Sequence, residues 1–218
     1  PHLSRTLPAA SGHAGRLSMS SWETPVLHGR HVALSPLDAT HADGLRAAAA
    51  DGELWTLRYT SVPGPGEGEA EAYIATAMAQ RDEGRMLPFV VRDAAGDIVG
   101  STRFYDIDRS VPRLKLGYTW YASRVQRTAL NTEAKLLLIG HAFDALGCEA
   151  VVLETSHENL RSQAAILRLG ARRDGVLRAH MRHRDGTLRD THVFSILRHE
   201  WPALADALRR KLESHANV

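Results

Sequence analysis

The stretch Arg124-Val125-Gln126-Arg127-Thr128-Ala129-Leu130-Asn131-Thr132-Glu133-Ala134-Lys135 joins two segments of opposite character, and no other feature restricts the fold as much. Upstream, Leu114-Lys115-Leu116-Gly117-Tyr118-Thr119-Trp120-Tyr121 ends in aromatic residues that favour a strand. Downstream, Thr132 to Leu146 has no proline, no β-branched run and several good helix formers. The junction therefore reads as a strand-to-helix turn of small and polar residues. The first N–H groups of such a helix lack partners within it, and its dipole places partial positive charge there. A turn of this kind suits a phosphate or pyrophosphate.

The rest of the chain supplies strands and helices around that turn. Arg30 to Ser35 reads as a short strand, and Asp38 or Thr40 caps an Ala-rich helix from about His41 to Ala50. A short helix is expected over Glu53 to Arg58, then a breaker-rich loop through Pro63-Gly64-Pro65-Gly66 and a longer helix from Glu69 to Glu83. Leu87 to Arg92, Asp97 to Tyr105 and the strand ending at Tyr121 form an antiparallel meander. Glu149 to Thr155 is an apolar run between helices, as a buried strand should be, and a helix follows from Asn159 to Leu169. Gly175 to His183 and Leu188 to Leu197 flank Asp185-Gly186, a hairpin signal, before a last helix from Pro202 to Glu213. Mixed strands with helices on both faces make an α+β or α/β fold.

Composition narrows the function. With 218 residues, 44% of them hydrophobic, the chain can bury the core of one domain. Lys+Arg 27 against Asp+Glu 25 leaves only +2 and there is no dense basic run, which argues against a nucleic-acid partner. No apolar run reaches the ~18 residues of a membrane span. Cys148 is the single cysteine and sits in an apolar context, so it reads as a buried small residue rather than a nucleophile, and no His/Cys cluster has metal-ligand spacing. The expectation is a cytoplasmic protein with no metal and no membrane partner. Residues 1–18, rich in small residues and lacking acids, are expected to be a disordered extension or tag, with one domain over 19–218.

Gln126-x-x-Ala129-x-Asn131-Thr132-Glu133-Ala134 resembles the acyl-CoA signature of the GNAT acetyltransferase superfamily, with Ala129 and Asn131 where that family prefers Gly and Gly or Ala. A second block, Thr155 to Ala171, resembles the family's next motif: a strand end, Asn159-x-x-Ser162 opening a helix, then Leu169-Gly170. Arg189 to Leu197 and Glu200-Trp201-Pro202 resemble the RimJ/RimL-like branch. The likeness implies a mostly antiparallel central sheet with a splayed parallel pair of strands and acetyl-CoA as acyl donor. It also implies an amine acceptor, either a small molecule or a protein N-terminus; a homodimer is compatible with it.

The resemblance assigns the donor site to Trp120 and Tyr121 at the strand end, where a backbone N–H polarises the thioester carbonyl. The backbone of Arg127, Thr128, Ala129, Leu130, Asn131 and Thr132 holds the pyrophosphate, with side-chain contacts from Gln126 and Arg127. Asn159 and Ser162 complete the set, Asn159 also reading as an ordinary helix cap. Many relatives protonate the leaving thiolate with a tyrosine where this chain has Ile166, so Ser162 is the candidate donor to sulfur. A glutamate base of many relatives is replaced by Lys115, leaving His180, His192 or a water as candidates. Trp55, Arg58 and Tyr59 are candidate acceptor contacts, Trp55 and Tyr59 equally readable as core aromatics. Alternatives are a catalytically weak acyl-CoA-binding module and a transferase using another donor such as succinyl-CoA.

Overall fold

The structure is a computed structural model that describes residues 22–216; the expected extension at 1–18 lies outside the described residues. In order, the elements are β1 (Leu27–His28), β2 (Val32–Pro36), α1 (Ala42–Ala50), α2 (Glu69–Asp82), β3 (Met86–Asp93), β4 (Ile98–Asp108), β5 (Arg113–Tyr121), α3 (Ala129–Asp144), β6 (Ala150–Ser156), α4 (Leu160–Arg168), β7 (Arg172–Arg182), β8 (Leu188–Leu197) and α5 (Trp201–Ala216). The strands form one eight-stranded sheet ordered β1-β2-β3-β4-β5-β6-β8-β7. Among the described residues only β5 and β6 pair in parallel.

Two local expectations are corrected. Glu53 to Arg58 is not an α-helix but a 3-10 turn at Leu54–Thr56, because Glu53 is left-handed (φ 47°) and the backbone is already extended at Leu57 (φ −80°, ψ 114°). The signature helix starts at Ala129 rather than Thr132, since Thr128 takes the cap and its Oγ1 accepts from the Leu130 N–H at 3.3 Å. Strand β1, which the sequence reading lacked, depends on a distant residue. The Glu133 carboxylate of α3 accepts from the Arg30 N–H at 2.9 Å and the His31 N–H at 2.6 Å, fixing the turn between β1 and β2.

Every residue of Met86 to Val91 in β3 is buried, so the sheet is covered on both faces there. Neighbours on β4 show by what. The Arg103 guanidinium lies over Tyr73 of α2, whereas the preceding residue, Thr102, meets Thr119, which is bonded to Lys135 of α3. Successive side chains on a strand point to opposite faces, so α2 and α3 lie on opposite sides of the sheet. Cys148 is buried, and its thiol is pushed up to about 11 by that burial, consistent with packing and not with nucleophilic chemistry.

Candidate active site

The parallel pairing of β5 with β6 is short. It runs from Arg113 opposite Ala150 to Lys115 opposite Val152, and there it stops. Beyond it, β6 continues against β8 as far as Ser156 opposite Thr191, while β5 continues against β4 as far as Tyr121 opposite Gly100. The strands therefore diverge over Leu116 to Tyr121, leaving one backbone edge of each without a ladder partner. The Ala122 N–H donates to the Val99 carbonyl at 2.7 Å, so the alternation of an antiparallel ladder turns the Tyr121 N–H and C=O away from β4 and into the splay. A Cβ on Gly100 would collide with the Trp120 carbonyl, which is why glycine stands at this close approach.

β5 also carries a bulge. Tyr118 and Thr119 stand opposite the single residue Thr102, and Tyr118 is held at a φ of 51°, which a side chain rarely adopts. The strain is maintained by packing: Tyr118 meets Tyr105 edge-on at 5.0 Å and lies 4.8 Å from the Arg103 guanidinium.

The turn after β5 is braced from outside. The Ser123 N–H donates to the Asp51 carbonyl at 3.0 Å and the Arg124 N–H to the Asp51 carboxylate at 3.2 Å, tying the turn to the end of α1. Thr128 Oγ1 donates to the Val125 carbonyl at 2.7 Å. The left-handed residue is Arg127, with a φ of 64°, while Asn131 lies inside the first turn of α3. Among the described residues the N–H groups of Arg127, Thr128 and Ala129 make no hydrogen bond. Those donors and the small Ala129 side chain fit the phosphates of an acyl-CoA. Gln126 behaves differently from the expected phosphate contact. Its Nε2 donates to the Tyr121 carbonyl at 2.8 Å and its Oε1 accepts from Arg161 of α4 at 2.7 Å, so it bridges the end of β5 to α4 across the splay.

On the far side, Asn159 caps α4, its Oδ1 accepting from the Ser162 N–H at 3.0 Å. The Ser162 hydroxyl makes no hydrogen bond among the described residues. Trp120 and Tyr121 are both buried, Trp120 Nε1 donating to the Tyr73 hydroxyl at 3.1 Å. His180 and His192 bond to Thr191 and Gln163, and burial holds the His192 imidazole below its ordinary value. Neither lines the cavity described next.

That cavity, about 460 Å³, opens on the α2 face and is lined by the loop Thr60 to Pro63, by Glu69 and Tyr73 of α2, by Arg103 and Tyr118, and by Arg184 of the β7–β8 turn. The loop after the early helical region and α2 wall this cavity, but none of Trp55, Arg58 and Tyr59 is in its lining; the Arg58 guanidinium pairs with Glu158 at 2.5 Å and Asp185 at 3.0 Å. Tyr118 joins the cavity to the bulge of β5, so the cavity and the splay meet at one residue.

Residues 31–172, well over half of the chain, match the acetyltransferase (GNAT) domain family. The chain belongs to the GNAT acetyltransferase family. A solved GCN5-related N-acetyltransferase from Brucella melitensis is 33% identical, with 87% of this chain and 86% of that one covered and a TM-score of 0.78. RimJ of Mycobacterium smegmatis, solved with CoA-disulfide, is 22% identical over 87% of this chain and 95% of its own, with a TM-score of 0.74, a likeness of fold. YoaA of Bacillus subtilis (strain 168), an uncharacterized N-acetyltransferase, is 26% identical over 102 residues, 47% of this chain. That match spans 56% of YoaA's length.

In this GNAT chain, three charged groups around β5 escaped the sequence reading, of which Arg103 lines the cavity and Glu154 and Lys135 do not. Glu154 of β6 stands two residues past the last parallel pair, 2.8 Å from Lys115 Nζ, so the carboxylate missing from β5 is present on the facing strand. Burial opposes the Lys115 ammonium, but Asp106 and Glu154 outweigh it and hold Lys115 above its ordinary value. The sequence signal was a lone Glu in the apolar run Val151-Val152-Leu153. Arg103 is an inward-facing Arg in an alternating strand. Lys135 hides within a helical pattern that its charge interrupts only once.

Lys135 is buried with Nζ 3.0 Å from Thr119 Oγ1, and desolvation lowers it from 10.5 to about 8. Since the folded pKa lies below the unfolded one, the unfolded chain binds the extra proton between pH 8 and 10.5, and stability rises with pH across that window. Below it the whole cost of burying the ammonium is present. Lys135→Met should therefore stabilise the protein at pH 7, by ~1 to 3 kcal/mol once the lost Thr119 bond is discounted. The advantage should shrink toward pH 10. Urea unfolding of both proteins at the two pH values checks this, and a variant less stable at pH 7 would contradict it.

Proposed function

We propose that this acyltransferase moves an acetyl group from acetyl-CoA directly to a primary amine while both are bound. The observation that carries the reading is the meeting of two separate spaces at Tyr118, a backbone-lined splay on one side and a side-chain-lined cavity on the other. The Arg127 to Ala129 N–H groups and the start of α3 would hold the pyrophosphate, and the exposed edge of β5 would run beside the pantetheine arm. The bound thioester supplies an activated acyl group.

This chain's residues supply the rest. The Tyr121 N–H, turned into the splay, polarises the carbonyl oxygen. Glu154 receives the proton that the acceptor ammonium must lose before its nitrogen is nucleophilic. The C–N bond then forms at the carbonyl carbon and the C–S bond breaks, its electron pair passing to sulfur, and the second proton on the acceptor nitrogen passes to that thiolate, giving a neutral amide and CoA thiol. The Ser162 hydroxyl donates a hydrogen bond to that sulfur. The cavity favours a small amine over a protein N-terminus. No described helix is long and apolar enough to cross a membrane; membership of the GNAT family supports a cytoplasmic location for the reaction.

Thiol release from acetyl-CoA and succinyl-CoA across a panel of amines and N-terminal peptides, with the acylated product weighed by mass spectrometry, tests the reading. Amine-dependent release with acetyl-CoA is expected. Binding of acetyl-CoA without transfer to any amine would leave a non-catalytic binding module, and preference for succinyl-CoA would change the donor.

A further inference from the structure

We infer that the cavity selects amines that carry an anionic group, a carboxylate or phosphate, held by Arg103. The inference rests on the cavity being the acceptor site and deepens that reading.

Arg103 is 3% exposed, yet no carboxylate pairs with it among the described residues. Its guanidinium has Tyr73 and Tyr118 as neighbours, with Cζ at 4.3 and 4.8 Å from their ring centroids, and Nη1 lies 3.5 Å from Met86 Sδ. Its Nε finds no hydrogen-bond partner among the described residues. Buried charges in proteins are ordinarily paired, and an unpaired guanidinium carries a large desolvation cost that aromatic faces and a thioether offset only in part. A guanidinium has five N–H donors in one plane, matched in geometry to carboxylate and phosphate. Arg103 lines the cavity, so an anion entering there would complete its hydrogen bonding.

The other charged groups of the cavity do not cancel it. Arg184 donates to the Trp55 carbonyl at 3.3 Å and the Val62 carbonyl at 3.0 Å, adding a second cation with only neutral partners. Glu69 is the one acid in the lining, and its Oε2 accepts from the Gly64 N–H at 2.7 Å, closing the loop before α2. The lining is thus positive overall. A space of about 460 Å³ suits an acceptor of amino-acid to nucleotide size.

The test compares matched acceptors with the wild-type protein: amino acids against their amides, and O-phosphoethanolamine against ethanolamine, with KM corrected for the fraction of free amine. The anionic member of at least one pair should have a KM roughly 10- to 100-fold lower, the size of effect expected when a buried donor would otherwise be left unpaired. The carboxylate and phosphate pairs separate the two sources of charge. Arg103→Gln should collapse the ratio, and Arg103→Lys should restore part of it. Equal KM values within every pair, with transfer occurring, would overturn the inference while leaving the transferase reading intact. If no amine is acetylated, calorimetry with N-acetylglycine and inorganic phosphate decides instead. Binding weakened at least 10-fold in Arg103→Gln supports an anion site, and absence of binding to the wild-type protein overturns it. Should Arg103→Gln fail to fold, the wild-type ratios and wild-type binding still give the answer.

Discussion

Ala129→Ile should weaken acetyl-CoA binding by roughly 10- to 100-fold in a protein that still folds. Ala129 is the first residue of α3 and is 8% exposed, at the point where the Arg127, Thr128 and Ala129 N–H groups lack partners. A β-branched side chain there intrudes where the phosphates must approach the backbone. Overpacking also costs stability, ~1 to 3 kcal/mol, so affinity must be measured by calorimetry below the variant's unfolding temperature. Ala129→Gly is the control, since it keeps the approach open. Unchanged affinity in folded Ala129→Ile would place the pyrophosphate elsewhere. Asn131→Pro is a weaker probe, because Asn131 lies within the first helical turn, where proline is tolerated.

Ser162→Ala should lower turnover by roughly 10- to 100-fold and leave acetyl-CoA affinity nearly constant, because a donor to sulfur gains strength only as negative charge develops there. The structure makes this a clean substitution. Helix capping rests on Asn159, whose side chain takes the Ser162 backbone N–H, and that bond survives loss of the hydroxyl. A stability change above ~1 kcal/mol would show that the hydroxyl has a structural task instead. Normal kcat in a normally stable variant would remove Ser162 from the chemistry, leaving the Tyr121 N–H and Glu154 as the remaining groups at the splay.

The parts of this site built from backbone and local pattern were legible in the sequence. The signature turn, the Asn159 cap and the late hairpin each follow from residues close together in the chain, where cap and turn chemistry is local. The β5–β6 splay came from the family resemblance; periodicity alone does not show where a parallel pair ends. Groups that depend on pairs distant in sequence stayed hidden. Glu154 reaches Lys115 only through the parallel register, and Arg103 meets Tyr73 only because α2 lies across β4. The same holds for Gln126, whose clasp with Arg161 spans thirty-five positions and could not be separated from a phosphate contact by spacing. The helix start was misplaced by three residues because composition marks where helix formers run, whereas the cap by Thr128 is set by its contacts with Val125 and Leu130.

The central claim is that the splay between β5 and β6 receives the acyl donor and presents it to the cavity at Tyr118. A crystal structure of the protein with acetyl-CoA tests this most directly. The account predicts the pyrophosphate against the Arg127, Thr128 and Ala129 N–H groups, the pantetheine arm along the free edge of β5, and the thioester beside Tyr118 within reach of the Tyr121 N–H. Acetyl-CoA bound with its thioester away from the splay, or with its phosphates off the α3 turn, would contradict it.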